Sequence, residues 1–555
     1  MRQPNILFAF ADDWGRYAGC YAEPDLVRDA DAQPPPVAAA LSAHIKTPNM
    51  DRLASQGVRF TNAFVPAPTC TPCRSSVLSG RYFWQTGLGA ILQGAVWDRS
   101  IPSYPLMLED GGYHIGFTYK VWSPGTPRDD PYGGASRRYE PAGTGFNQYS
   151  FTASERIERT GGIEQAKESL DDEVRGNFTA FLDERRDGPD GRQPFCYWWG
   201  PTNTHREWKR GSGARLWGLN PDDLAGDVPP FLPDVPEVRE DICDYLGECM
   251  AVDRGLGVLL SVLEERGELD STLVVASGDH GIPGFPRAKC NLYDIGCEVA
   301  LLARWPAVIP SGRVVDDMVS LMDLAPTFLE AAGIQPPDDM PAKSLLPVMA
   351  SESAGQVDTE RTSVVTGRER HVATAREWNL PYPQRAIRTH QYLYIRNYAP
   401  DRWPMGAPRG LDDPTVTPPA YEELEHDTFI AYADLDAGPT KAWIIHNRNE
   451  PSVRAIFETG FGKRSAEELY DLHLDPHHMR NRAHDPAYEE VRRRLAGMLE
   501  EELVRQSDPR VVEPACRFDR APFTDASFPD NAARQRLSML EPLPPAGQRR
   551  SQSKI

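Results

Sequence analysis

Short apolar runs alternate with helix-type periodicity over the N-terminal two-thirds of this 555-residue chain. The runs predict buried strands at Ile6–Phe10, His114–Thr118, Phe195–Trp199, Leu273–Ala276 and Ala300–Ala303. Between them, Thr47 and Pro48 fit the first positions of a helix that ends at Gly57, and residues 256–263 carry a second helical pattern. This alternation is typical of an α/β fold, in which a large mixed sheet is sandwiched by helices.

A change of composition predicts a second, smaller unit. Ala354–Glu360 is small and polar, as linkers are, and a hairpin (Arg385–Arg388 with Tyr392–Arg396) and an amphipathic helix after Asp485 follow it. A chain of this length also exceeds what one core usually holds. We therefore predict an N-terminal domain at 1–353, a smaller C-terminal α+β domain at 354–515 and an extended, partly disordered tail at 516–555. The Pro-rich stretch 33–36 is interpreted as a surface insertion.

The overall charge narrows the classes of partner. A net charge of -20 and a pI near 5.1 argue against a nucleic-acid binder, which needs a basic surface. No apolar run is long enough to predict a membrane span. The N-terminus lacks the separate apolar region of a signal peptide, and the nine cysteines are scattered, so we expect a cytoplasmic location. An anionic substrate would then need a locally positive pocket.

Ionisable residues follow the ends of four predicted strands. Asp12 and Asp13 come after the first strand, Lys120 after the second, His205 after the third, and Asp279 with His280 after the fourth. Ligands of open α/β sheets bind outside the carboxyl ends of the strands. We therefore expect these side chains to converge on one site.

The acidic members of this set suit a divalent cation. Asp12, Asp13 and Asp279 offer hard oxygen ligands for Ca²⁺ or Mg²⁺, and His280 offers a further contact. The alternative is that these aspartates cap helices and turns, which is their usual task after a strand. Because a pair of aspartates is rarely buried without a partner, we expect a cation beside Asp12 and Asp13.

The basic members suit a tetrahedral anion. Arg74, Lys120, Lys289 and His205 would surround such an anion and stabilise the charge that develops on it. Taken singly, each of them also fits a solvated or salt-bridged surface position. The helix predicted to begin near Cys70 would add backbone N–H donors.

The segment Cys70-Thr71-Pro72-Cys73-Arg74 resembles the Cys-x-Pro-x-Arg pattern of the sulfatases. The surrounding chain is similar too, and it resembles the type I sulfatases of the alkaline-phosphatase superfamily, most closely the branch of heparan N-sulfatase (sulfamidase). The other stretches that carry the resemblance are Pro4–Gly15, Thr47–Ala54, Ser277–Gly281, Lys289–Asp294, Asp323–Thr327 and Glu468–Leu472.

The resemblance implies an alkaline-phosphatase-like fold and a set of roles. Cys70 would be oxidised to formylglycine by a formylglycine-generating or sulfatase-maturing enzyme, and its hydrate would be the nucleophile. Ca²⁺, with Mg²⁺ as the alternative, would bind Asp12, Asp13, Asp279, His280 and residue 70. Arg74 would steady residue 70, while Lys120, His205 and Lys289 would contact the sulfate. His205 is also the candidate proton donor to the leaving group.

The chain departs from the family pattern at one position. Many members carry a histidine two residues after the lysine matched by Lys120, whereas this chain has Trp122. The contact made by that histidine is therefore in doubt. His280 stands where other members often have Asn, a change that a metal site tolerates because both residues offer a ligand atom.

These observations predict a sulfatase that hydrolyses a sulfate ester or sulfamate of a sulfated sugar. Two alternatives are a phosphonate monoester or phosphodiester hydrolase of the same superfamily and a non-catalytic protein that retains the fold. The core residues do not distinguish S–O from S–N cleavage. Glu369, Arg370 and His371 are either readers of the sugar at the pocket rim or an ordinary charged loop.

Overall fold

A seven-stranded sheet and a four-stranded sheet organise the chain in the computed structural model, which describes residues 3–22, 37–188, 191–413, 415–520 and 523–524. The Pro-rich stretch 33–36 and most of the predicted tail 516–555 lie outside the described residues. Within the described residues, no helix combines the length and the apolar composition that a membrane span needs.

The strands, in chain order, are β1 (Asn5–Ala11), β2 (Val58–Phe60), β3 (Ala63–Phe64), β4 (His114–Tyr119), β5 (Asp187–Gly188), β6 (Gly191–Arg192), β7 (Phe195–Gly200), β8 (Thr272–Gly278), β9 (Leu301–Arg304), β10 (Arg313–Val315), β11 (Val319–Ser320), β12 (Ser363–Arg368), β13 (Gln384–Thr389), β14 (Tyr392–Asn397) and β15 (Glu467–Asp471). The helices are α1 (Val37–Ser42), α2 (Pro48–Gln56), α3 (Cys70–Ser79), α4 (Tyr104–Asp110), α5 (Tyr149–Thr160), α6 (Ile163–Asp183), α7 (Ser212–Trp217), α8 (Pro236–Glu265), α9 (Asp294–Cys297), α10 (Leu324–Ala331), α11 (Leu346–Ala350), α12 (Tyr421–His426), α13 (Pro439–His446), α14 (Pro451–Phe461), α15 (Glu489–Arg505) and α16 (Pro509–Val512).

The large sheet is mixed, as predicted. Its strand order is β10-β2-β9-β8-β1-β7-β4, and the four strands β8, β1, β7 and β4 run parallel. Strand β9 is antiparallel to both of its neighbours. All five predicted strands lie in this sheet. Because β8, β1, β7 and β4 are parallel, their carboxyl ends meet at one edge, where the ionisable residues follow.

Helices cover both faces of this sheet because β1 is apolar on both. Ile6, Phe8 and Phe10 point to one side and pack with residues of α3, α4 and α10. Leu7 and Ala9 point to the other side and pack with residues of α6 and α8. Side chains of a strand alternate between the two faces, so a continuous apolar run is what a strand buried on both faces requires.

Helix α8 is longer than its hydrophobic pattern predicts. The pattern marks residues 256–263, whereas the helix begins at Pro236. Its first half carries the buried acidic residues Asp241, Asp244 and Glu248, whose carboxylates accept hydrogen bonds from other parts of the chain. These buried acids interrupt the apolar periodicity that would otherwise indicate a helix.

The second sheet is antiparallel, in the order β12-β13-β14-β15. The predicted hairpin forms β13 and β14, and the predicted amphipathic helix is α15, which buries Leu495, Leu499 and Leu503 against this sheet. The segment proposed as a linker is held to the first sheet, since Gly355 N donates to the carbonyl of Val314 at 2.9 Å. The domain limits at 353/354 and 515/516 stay predictions.

Candidate active site

The carboxyl edge of the large sheet brings the ionisable residues together. Asp12 and Asp13 leave β1, and Asp13 adopts a left-handed backbone (φ +52°). Its N–H donates to Oδ1 of Asp279, which follows β8, at 2.8 Å. Lys120 follows β4 and donates from Nζ to both carboxylate oxygens of Asp12 at 2.7 and 2.8 Å. Residues from three strands therefore meet in one buried cluster.

Helix α3 supplies Cys70 and Arg74 from one face. The helix begins at Cys70, and Arg74 lies one turn later, a spacing that places both side chains on the same side. Arg74 donates from Nε to Oδ2 of Asp279 at 2.8 Å and from Nη2 to Oδ1 of Asp12 at 3.0 Å. The guanidinium is fully buried and joins the two carboxylates. Its hydrogen bonds go to these aspartates and to the carbonyl oxygens of Lys120 and Val121, and none goes to residue 70.

The Cys70 thiol lies at the centre of the cluster. Its Sγ is 3.3 Å from Nε2 of His280 and 3.7 Å from Oδ1 of Asp13, and the residue is 2% exposed. Burial raises the pKa of the thiol well above its usual range, and the charge of Asp12 adds to the rise. A neutral buried thiol is a poor nucleophile.

Lys289 and His205 complete the basic side of the site. Lys289 donates from Nζ to Oδ2 of Asp13 at 2.8 Å and is buried. Nε2 of His205 lies 3.9 Å from the same Asp13 oxygen, and its Nδ1 is 2.6 Å from the carbonyl of Arg206. The His205 side chain is 34% exposed, so it is accessible to a ligand entering from solvent.

The donor set fits a divalent cation. Ligand atoms lie within 4.8 Å of one another in three overlapping groups, drawn from Asp12, Asp13, Cys70, His205, Asp279 and His280. Carboxylate oxygens with one imidazole are ligands that Ca²⁺ and Mg²⁺ accept. The sequence predicted a divalent cation as the partner of the aspartates, but the structure shows that protein side chains also supply counter-charges. Arg74, Lys120 and Lys289 already offset the charge of the three carboxylates.

Trp122 does not replace the histidine of the family pattern. Its indole N–H donates to Oγ of Ser75 on α3 at 2.8 Å, and its ring meets Trp97 edge-on at a centroid distance of 5.7 Å. The side chain is fully buried. It therefore supports the helix that carries Cys70 and Arg74 and offers the site no group that exchanges a proton.

Three residues beside the site carry no sequence motif that assigns them to it. Asp436 lies 3.2 Å from Nζ of Lys289, and Nδ1 of His371 lies 2.6 Å from Oγ1 of Thr69. Tyr245 donates from its hydroxyl to the carbonyl of Asp13 at 3.0 Å. The alternation of apolar and acidic residues in Ala-Asp-Leu-Asp-Ala at 433–437 is the sequence signal that could have pointed to Asp436.

The sugar-reading role considered for Glu369 does not agree with its contacts. Its carboxylate is buried and forms ion pairs with Arg385 at 2.9 Å and with Arg510 at 2.5 Å. Glu369 therefore ties β13 to α16. The neighbouring His371, in contrast, reaches the residue that precedes Cys70.

The large mixed sheet covered by helices is an alkaline-phosphatase-like fold, and the convergent site lies at its carboxyl edge. The chain belongs to the sulfatase family, since the family model described as Sulfatase matches residues 4–334. A second model, described as N-sulphoglucosamine sulphohydrolase, C-terminal, matches residues 279–429. The chain is thus a hydrolase of sulfate esters or sulfamates, which confirms the predicted family and enzyme class.

Known proteins resemble this chain over nearly its full length. Human N-sulphoglucosamine sulphohydrolase is 27% identical over 538 residues, covering 92% of both chains. A structure solved in complex with its substrate D-glucosamine-2-N,6-O-disulfate aligns with a TM-score of 0.59 at 18% identity, covering 93% of this chain and 100% of the other. Phosphonate monoester hydrolase of Agrobacterium radiobacter aligns at 0.58 and 18% identity, covering 91% and 96%. The two structural alignments show the fold alone.

Proposed function

We propose that this sulfatase removes a sulfuryl group from a sulfated sugar, with an N-sulfated or O-sulfated glucosamine unit as the preferred class. One observation carries the proposal. The residues matched by the N-sulphoglucosamine sulphohydrolase C-terminal model include Lys289 and His371, which lie beside Cys70 and its helix. The human relative that is similar over both full lengths is named for the same class of sugar.

The nucleophile proposed is residue 70. Oxidation of Cys70 to formylglycine by a maturing enzyme would supply a hydrated aldehyde, whose hydroxyl attacks sulfur more readily than a buried neutral thiol. His280 and Asp13 flank the side chain at 3.3 and 3.7 Å and would orient it. Arg74 would act indirectly, because it positions the carboxylates of Asp12 and Asp279 around residue 70.

The metal proposed is Ca²⁺, with Mg²⁺ as the alternative. Asp12, Asp13, Asp279 and His280 would hold it beside residue 70. Asp13 with His280, and Asp12 with Asp279, each form a donor group with Cys70 whose atoms lie within 4.8 Å of one another, and this supports the set. A divalent cation at this point supplies Lewis-acid polarisation of a sulfuryl oxygen and lowers the pKa of a bound hydroxyl.

The basic residues would bind the sulfuryl group and protonate the leaving atom. Lys120 and Lys289 are the ammonium groups closest to the carboxylates, and turning toward substrate would place their N–H donors on sulfuryl oxygens. The Arg206 carbonyl lies 2.6 Å from Nδ1 of His205 and would accept a hydrogen bond from Nδ1–H, so Nε2 would be the atom that gains a proton in the imidazolium form and releases it. His205 would deliver this proton to the oxygen or nitrogen of the sugar.

A substrate comparison tests the proposal. The matured protein should be assayed on an N-sulfated glucosamine, a 6-O-sulfated glucosamine, an aryl sulfate and an aryl phosphodiester. We expect the highest kcat/KM on one of the two sulfated sugars, and that sugar also identifies S–N or S–O cleavage. Hydrolysis of the phosphodiester alone would replace the proposal with the phosphonate monoester or phosphodiester hydrolase.

A further inference from the structure

Arg370 is a buried cation without a carboxylate partner among the residues that the structure describes. It is 2% exposed, and its Nε and Nη1 atoms have no hydrogen-bond partner. Nη2 donates to the carbonyl oxygen of Gln93 at 2.7 Å, which is a neutral acceptor. A buried charge without a counter-charge is costly, so such a residue is rarely retained for packing alone.

The neighbouring buried arginines are paired, which sets Arg370 apart. Arg368 and Arg376 both bind Asp434, and Arg385 binds Glu369 and Asp508. Burial lowers the pKa of Arg370 to about 10, and the attraction of Asp434 offsets this only in part. Three buried guanidinium groups near Arg370 therefore have carboxylate partners, whereas Arg370 has none among the described residues.

The position of Arg370 places it at the border of the active site. Its carbonyl accepts from Leu92 N at 3.2 Å, and the carbonyl of His371 accepts from Gln93 N at 3.2 Å. The side chain of His371 lies 2.6 Å from Oγ1 of Thr69, the residue that caps the helix starting at Cys70. The segment that carries Arg370 is thus packed directly against the residues that precede the nucleophile position.

A glycine leaves room beside the guanidinium. Gly94 has a positive φ of +87°, and a Cβ at this position would lie 3.1 Å from Nη2 of Arg370. The only other atom within 4 Å of that Cβ would be Cδ1 of Ile91, at 3.8 Å. The space at Gly94 lies beside Nη2, which has a second N–H beyond the one that donates to Gln93, and a small anionic group requires such an approach to a donor.

We propose that Arg370 binds a second anionic substituent of the sugar, a carboxylate or a further sulfate, distinct from the sulfuryl group that is removed. The inference rests on the proposed function and extends it to substrate choice. Lys120 and Lys289 pair with Asp12 and Asp13 in the cluster that contains Cys70, and the proposed function assigns both lysines to the reacting group. The second N–H of Nη2, which faces the space at Gly94, would form a charge-assisted hydrogen bond with the second anion. The anion would in turn supply the counter-charge that the buried guanidinium lacks.

The test compares singly and doubly charged sugars in the Cys70→Ala background, which binds without turnover. Calorimetry would give Kd for glucosamine N-sulfate, for glucosamine N,6-disulfate and for a glucosamine N-sulfate linked to a hexuronic acid. We expect Arg370→Met to weaken binding of a doubly charged sugar about ten- to a hundredfold and to leave the singly sulfated sugar unchanged. The doubly charged sugar that responds identifies sulfate or carboxylate as the second group.

Two controls separate the outcomes. Arg493→Met, at an exposed position on α15, should change no Kd, and the Tm of Arg370→Met should not fall, because the variant removes an uncompensated charge. An equal loss for all three sugars, or no loss for any, overturns the inference and leaves the proposed function intact. If the chain with Arg370 binds none of the sulfated sugars, the proposed function fails and the inference falls with it.

Discussion

The ammonium group of Lys289 lies 3.2 Å from the carboxylate of Asp436, a residue contributed by the loop before α13. The same ammonium contacts Asp13 at 2.8 Å, so Lys289 is held between a residue that follows the first strand and a segment beyond the matched family regions. Despite burial, Lys289 lowers the pKa of Asp436 below its usual range. The position of Lys289, which is proposed to bind the sulfuryl group, therefore depends on the carboxylate of Asp436, far along the chain.

We expect Asp436→Asn to reduce kcat/KM by about tenfold, because Lys289 loses one of the two charges that position it. Lys289→Ala should cost more, about ten- to a hundredfold, since a charge-assisted contact is worth roughly 1.5–3 kcal/mol. Steady-state kinetics on a sulfated sugar measure both effects. Asp413→Asn, an exposed change in the same region, is the matched control. Unchanged kinetics in Asp436→Asn would show that Asp13 alone positions Lys289.

Cys70 and Cys73 should behave differently although they are one turn apart. Mass spectrometry of the peptide with residue 70 should show an aldehyde in place of the thiol at that residue only. We expect Cys70→Ala to abolish turnover and Cys73→Ser to retain it, because Cys73 packs in the apolar core beneath α3. An active preparation in which residue 70 is an unmodified cysteine would contradict the proposed nucleophile.

Metal removal should abolish activity. We expect Asp13→Asn and Asp279→Asn to lose both the bound cation and turnover, since each carboxylate belongs to a converging donor group. Elemental analysis gives the metal content independently of activity, and add-back of Ca²⁺ or Mg²⁺ distinguishes the two ions. Asp270→Asn, whose carboxylate is 83% exposed, should keep the metal. Full activity of a chelated, metal-free protein would refute the site.

Trp122 should matter for stability more than for chemistry. We expect Trp122→Ala to lower the free energy of unfolding by about 3–5 kcal/mol, because it leaves a cavity against Trp97 and removes the hydrogen bond that Ser75 Oγ accepts from the indole. Denaturant unfolding measures this change. Trp378→Ala, at a side chain that is 77% exposed, should have little effect. Trp122→Phe should retain most turnover, and a complete loss with normal stability would assign Trp122 a chemical role.

The buried Glu248 should make stability depend on pH. Burial raises its pKa from 4.5 to about 7, although Ser150 and Asn203 donate hydrogen bonds to it. Between these two values the folded state binds more protons than the unfolded state, so the free energy of unfolding falls as pH rises from 4.5 to 7. Glu248→Gln should flatten the unfolding free energy over this range, whereas the exposed Glu265→Gln should not. Denaturant unfolding at a series of pH values measures the slope, and an equal slope in Glu248→Gln would assign it to other groups.

The sequence was most informative where one local pattern determines the outcome. Apolar runs predicted all five strands that were named for the large sheet, and the residues after the strands met because parallel strands share an edge. The hairpin of β13 and β14 was likewise visible in its alternation. The first half of α8 was not visible in the sequence. Glu248 and its acidic neighbours are buried there because distant residues donate hydrogen bonds to their carboxylates, and local sequence does not reveal those donors.

Long-range contacts set the limit on the candidate site as well. Asp436 and Tyr245 lie far along the chain from residue 70, and each reaches the site only through tertiary packing. The sequence predicted a divalent cation as the positive partner of the aspartates, and the structure shows that Arg74, Lys120 and Lys289 also pair with them. The charge balance of a buried cluster depends on which basic side chains the tertiary fold brings to it, and no single sequence motif contains that information.

The near-complete burial of Cys70 has a consequence for the order of events during synthesis. The maturing enzyme that the proposed function requires would have to bring its own reactive group to the thiol, and the folded chain leaves only 2% of Cys70 exposed. We therefore expect conversion to precede folding, so that a maturing enzyme added to folded protein leaves the cysteine unchanged. A molecule that folds first would keep the same architecture and stay inactive for its lifetime. The relative rates of Cys70 conversion and of folding would then determine what fraction of the protein molecules is active.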